Sequence, residues 1–139
     1  MIAHKQVIAR VNTHLDCGVA GVVRALSEFP ELQTTESCEG PPDAPAWVAF
    51  LYGSHWADPW RPLAEFVLGY FGPGLARSVG NSARVSIRVT ESSHIIGEMV
   101  VEKERMADVE SAIRSLAKEF SERQHRRCEC CDGTSGTLR

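Results

Sequence analysis

Residues 32–61 read LQTTESCEGPPDAPAWVAFLYGSHWADPWR, and the way its two apolar runs are joined decides the fold. The runs, 32–37 and 46–52, flank a proline-rich loop at 39–45. The fold turns on whether these runs pair as an antiparallel hairpin. The second run, with Trp47, Val48, Phe50, Leu51 and Tyr52, is apolar on both faces, as expected of a central strand covered on both sides. Polar and reactive groups crowd the outer ends of the stretch. Thr34, Thr35, Glu36, Ser37 and Cys38 lie on one side, and His55, Trp56 and Arg61 on the other. A hairpin that drew these ends together would make them one ligand site.

Working outward, residues 6–11 (Val7, Ile8, Val11) predict a first strand. Asp16 is then placed to cap a helix in which Val19, Val22, Val23, Leu26 and Phe29 share a face, and Pro30 ends it. Downstream, Asp58-Pro59 signals a second helix, with Trp60, Leu63, Val67 and Phe71 as its core stripe and Gly72-Pro73-Gly74 as its break. Residues 83–90 alternate Ala83, Val85, Ile87 and Val89 with Arg84, Ser86 and Arg88, the period of a half-buried strand. A turn at 91–94 returns the chain into a strand at 95–102. Met106, Val109, Ile113, Leu116 and Phe120 mark a last helix over 105–126. The order β-α-β-β-α-β-β-α predicts an α+β fold: a mainly antiparallel sheet with helices packed on it, a ferredoxin-like core plus an extra strand and a C-terminal helix. Residues 1–131 read as a single domain and 132–139 as a flexible tail.

At 139 residues the chain can bury a core without staples, and 43% hydrophobic with 24% charged residues excludes a disordered composition. A net charge of −3 tells against nucleic acid as a partner, and no run is long enough to span a membrane. The N-terminus lacks the apolar stretch of a signal peptide, and five cysteines cannot all pair within one chain. The expected setting is the cytoplasm, with thiols reduced.

In the first cluster, Thr, Ser and Cys offer small donors or nucleophiles at a strand exit, and Gly40 permits close approach. Thr34-Thr35-Glu36-Ser37-Cys38-Glu39-Gly40, preceded by the helix that begins near Asp16, resembles the Thr-Thr-Ser-Ser-Cys-Ser-Gly-Arg signature of the wybutosine-synthesis tRNA methyltransferases. The likeness covers about residues 16–52. Glu36 and Glu39 stand where the signature has serine, and Pro41 where it has arginine. The resemblance implies a transferase that uses S-adenosylmethionine on the 34–40 site.

In the second cluster Trp56 can stack a planar ligand, Arg61 can hold an anion, and His55 can serve as acid or base. Trp60 is expected in the core. In the third, Cys128 and Cys131 have zinc-ligand spacing, but zinc needs a second pair such as His14 and Cys17. The expectation is an unmetallated tail. The leading functional reading is a domain that binds a small-molecule or nucleotide-like ligand between the 34–40 and 55–61 loops. A transferase on that site and a macromolecular interaction protein are the alternatives.

Overall fold

The computed structural model describes the backbone of residues 6–8, 14–53 and 60–135, and side chains within 18–53 and 60–126. The strands are β1 (Gln6–Ile8), β2 (His14–Asp16), β3 (Leu32–Cys38), β4 (Ala46–Tyr52), β5 (Ala83–Val89) and β6 (Ile95–Val101). The helices are α1 (Ala20–Leu26), α2 (Trp60–Phe66), α3 (Gly72–Val79) and α4 (Met106–Ser135).

The fold is α+β. Four strands form an antiparallel sheet in the order β3-β4-β6-β5, and the helices bury one of its faces. Strands β4 and β5 both run against β6, so they are parallel to each other. The α2–α3 stretch joins them with β6 between, which is a split β-α-β unit. Strand β3 extends this unit beside β4, and α4 closes the helical layer.

The predicted first strand does not join the sheet. β1 pairs with β2, Gln6 opposite Asp16, in a separate two-stranded ribbon. Asp16 ends that strand, and the residue at the N-cap position of α1 is Val19. The chain enters α1 through a 3-10 turn at Cys17–Val19, and Val19 makes no side-chain cap bond. The predicted break at Gly72-Pro73-Gly74 is also absent. Residues Val67–Phe71 widen into a π-helical turn, and the Gly72 N–H donates to the Val67 carbonyl. Proline has no N–H and crowds the carbonyl four residues back. The wider turn shifts the ladder where that conflict would arise, so the helix continues. A Cβ at Gly72 would lie 2.7 Å from the Val67 oxygen, so this residue has to be glycine.

The core is aromatic at its centre. Phe29 meets Phe66, Phe71 and Phe120 edge-on, with ring centroids 4.9, 5.5 and 5.6 Å away. Tyr52 stacks on Phe66 at 4.1 Å, and burial, helped by Glu31, pushes its phenol up to about 12. Tyr70 donates to the Leu116 carbonyl at 2.7 Å, tying the π turn to α4. In α4, Val109, Ile113 and Leu116 are buried, as their spacing predicts. The helix runs to Ser135, past residue 126 and into the segment expected as tail. Among the described residues no helix is long and apolar enough to cross a membrane.

Phe50 and Gly97 face each other across β4 and β6, and the Phe50 ring occupies the space a Cβ at Gly97 would need. Gly97→Ala should therefore cost about 1–3 kcal/mol in urea unfolding, the usual penalty of overpacking. In combination with Phe50→Leu the loss should be less than additive, because the clash disappears with the ring. Additive losses would show that Gly97 is needed for its backbone alone.

Candidate functional site

A bulge decides which face each residue of the 34–38 cluster uses. Thr34 pairs with Phe50 and Glu36 with Ala49, so Thr35 is the extra residue in the strand. Its hydroxyl donates to the Ala49 carbonyl at 3.3 Å. Strict alternation would put Thr34 and Ser37 on opposite faces. The bulge resets the pleat, and Ser37, opposite Val48, joins Thr34 on the helix-covered face. Thr34 is only 7% exposed. Neither its hydroxyl nor that of Ser37 has a hydrogen-bond partner among the described residues. Glu36, exposed, and Cys38, half-buried, lie on the other face.

The register also separates the two predicted halves of the site. Cys38 pairs with Trp47 at one end of the hairpin, and Leu32 with Tyr52 at the other. Tyr52 leads toward Arg61, and the Gly53 N–H donates to the Glu31 carbonyl at 3.0 Å. The two ends are about 20 Å apart along a seven-residue strand. Antiparallel pairing thus puts the 39–45 loop and Gly53 at opposite ends of the hairpin. Arg61 is exposed, with its guanidinium 5.5 Å from the centroid of the Trp60 ring. Trp60, expected in the core, is 49% exposed. It opens α2 one turn ahead of Leu63 and Phe66, the buried residues of that helix. His55 and Trp56 lie outside the described residues.

Topology assembles a different site at the Cys38 end. Ala46 and Ala83 both pair with Val101, so the starts of β4 and β5 meet the end of β6 there. A cavity of about 530 Å³ opens between the 42–45 loop, residues 81–84 and residues 102–105. Arg84, Lys103 and Arg105 supply positive charge, and Asp43, Glu102 and Glu104 negative. Lys103 donates to the carbonyls of Gly40, at 3.1 Å, and Pro41. Gly40 reaches this contact with φ at +70°, a conformation that favours glycine. Arg105 is engaged by Asp108 at 2.7 Å. Arg84 is exposed and makes no hydrogen bond or ion pair among the described residues. The sequence reading missed these cavity residues because they come from three separated segments. Their convergence follows from a split β-α-β unit, in which the first and third strands start at the same end.

Cys128 and Cys131 sit on α4, His14 opens β2 and Cys17 opens the 3-10 turn, but the side chains of all four lie outside the described region. Among the described residues no three His, Cys, Asp or Glu side chains are grouped to hold a metal ion. No protein-family model, no curated protein and no solved structure matches this chain.

Lys103 anchors the cavity's loop, within which the Ala44 N–H donates to the Pro41 carbonyl at 3.0 Å. Lys103→Met should speed hydrogen exchange at the Ala44 amide while leaving Tm nearly unchanged. Unaltered exchange would show that the three prolines hold the loop unaided.

Proposed function

We propose that this is a ligand-binding domain, and that its ligand is a small polar or nucleotide-like molecule with an anionic group. The observation that carries this reading is the cavity at the β4 and β5 starts, where Arg84 makes no hydrogen bond or ion pair among the described residues and lies beside an anchored lysine. A guanidinium with no internal partner is suited to pair an incoming carboxylate or phosphate. The acids around it favour a ligand that also carries donors or a positive charge. They disfavour a nucleic-acid backbone, as does the net charge of −3. The cytoplasm is the compartment this reading assumes. Arg61 is not part of the proposed site, because it follows the opposite end of the hairpin.

A second reading, an S-adenosylmethionine-dependent transferase working at Thr34–Cys38, is supported by the unsatisfied hydroxyls of Thr34 and Ser37. Buried hydroxyls without partners cost free energy, and a ligand that bonded to them would recover it. The two readings separate cleanly by titration calorimetry with S-adenosylmethionine, S-adenosylhomocysteine and nucleoside monophosphates. Under the first, Arg84→Ala weakens binding about tenfold or more, the usual loss for a charged hydrogen bond, with Tm little changed. Under the second, Ser37→Ala abolishes S-adenosylmethionine binding without loss of stability, since it removes an unpaired group. No heat with any of these compounds, and no small molecule in native mass spectra of the purified protein, would sink both.

A further inference from the structure

The sheet face turned away from the helices carries an ordered pattern. Cross-strand pairing arranges it in three rows. One row runs Arg84, Val100, Trp47, Cys38, and the next Ser86, Glu98, Ala49, Glu36. The third runs Arg88, Ile96, Leu51, Gln33, with Ile96 and Leu51 one step past the last β4–β6 pair. The middle strands are mostly apolar here. Leu51 is 38% exposed, Trp47 and Val100 are half-buried, and Ile96 is only 5% exposed although it lies outside the main core. The edges differ in sign, with Arg84 and Arg88 on β5 and Glu36 on β3.

We propose that this face binds a second copy of the chain, sheet against sheet, about a two-fold axis parallel to the strands. Such an axis involves no translation along itself, so each row meets its own copy, reversed. β5 then lies over the partner β3, and β6 over the partner β4. Val100 covers Trp47 of the other copy, and Ile96 covers Leu51. Glu36 arrives opposite Ser86, between Arg84 and Arg88, the second of which also lies 3.4 Å from Glu98 of its own sheet. The other in-plane axis, across the strands, would stack β5 on β5 and bring Arg84 toward Arg88, like charge on like. Charge complementarity therefore selects one arrangement. It is also compatible with the near-aligned packing of facing sheets. Four strands about 4.8 Å apart and seven residues long make a face roughly 20 Å on a side, or about 800 Å² over the two copies, the size of a weak, reversible contact.

The test is sedimentation equilibrium of the full chain without ligand, so that it stands apart from the ligand reading; Arg84 is left intact for the same reason. The wild-type chain should form a reversible dimer. Glu36→Arg and Arg88→Glu should each weaken it by about tenfold or more, since each sets like charges against one another. An equimolar mixture of the two variants should associate more tightly than either alone. In the mixed dimer the two substituted side chains face each other with opposite charge, and the unchanged Arg88 faces the unchanged Glu36. That recovery also proves both variants folded. Leu51→Asp should give monomer with an intact far-ultraviolet spectrum. A monomeric wild-type chain, a dimer indifferent to Glu36→Arg, or a mixture with no recovery would each overturn the proposal. A dimer indifferent to all three changes would point to pairing at the β5 edge instead.

Discussion

The fold depends on Phe50 lying across Gly97. Phe50 is at the centre of the central strand and is fully buried, and its ring also meets Phe71 edge-on with centroids 6.4 Å apart. It therefore touches both the neighbouring strand and the π turn that carries the crossover helix. A fully buried phenylalanine contributes about 1.5–3 kcal/mol from burial alone. Its greater effect is positional. The ring needs a glycine on β6, and it needs Phe71 at a fixed height, which the widened turn at Val67–Phe71 provides. One side chain thus couples the order of the sheet to the irregularity of the helix above it.

Much of this was legible in the sequence wherever a period is its own evidence. The alternation from Ala83 to Val89 and the helical stripe from Val109 to Leu116 give strand and helix directly, and the stripe is buried as expected. Punctuation residues misled where tertiary packing overrode them. Pro73 is a strong local breaker, yet the aromatic cluster gains enough from continuing the helix that the backbone deforms around the proline. Trp60 follows the spacing of a core stripe, but at the first turn of α2 that stripe has not yet reached the sheet. Thr35 carries no signal that it is a bulge, and only pairing with Ala49 reveals that Thr34 and Ser37 share a face.

The candidate site shows where residue chemistry stops and topology begins. Grouping His55, Trp56 and Arg61 with Ser37 and Cys38 followed from proximity in sequence across a hairpin. In an antiparallel hairpin the two outer ends of the strands are neighbours, but the inner end of β3 is at the turn, a full strand length away. Ser37 and Cys38 sit at that inner end. The segments that meet the 42–45 loop at that end come from residues 81–84 and 102–105, which nothing in their local composition distinguishes from ordinary surface turns. Their meeting requires knowing that β4 and β5 start side by side with the end of β6 between them.

The cavity and the outer sheet face share a row. Arg84 and Val100 line the cavity and also begin the row that ends at Trp47 and Cys38. In the two-fold arrangement Trp47 and Cys38 of one copy lie over Val100 and Arg84 of the other, so the partner closes one side of each cavity. Binding at two such sites is reciprocal: a ligand that gains contacts from the partner tightens the dimer by the factor by which the dimer tightens the ligand, and one that displaces the partner loosens both equally. The sign is set by Arg84. If its guanidinium turns to the ligand, Glu36 of the partner loses one of two cations, and Arg88 is already within 3.4 Å of Glu98 on its own sheet. An anionic ligand would therefore compete with Glu36 for the same charge, so under the two proposals ligand binding and self-association would oppose each other.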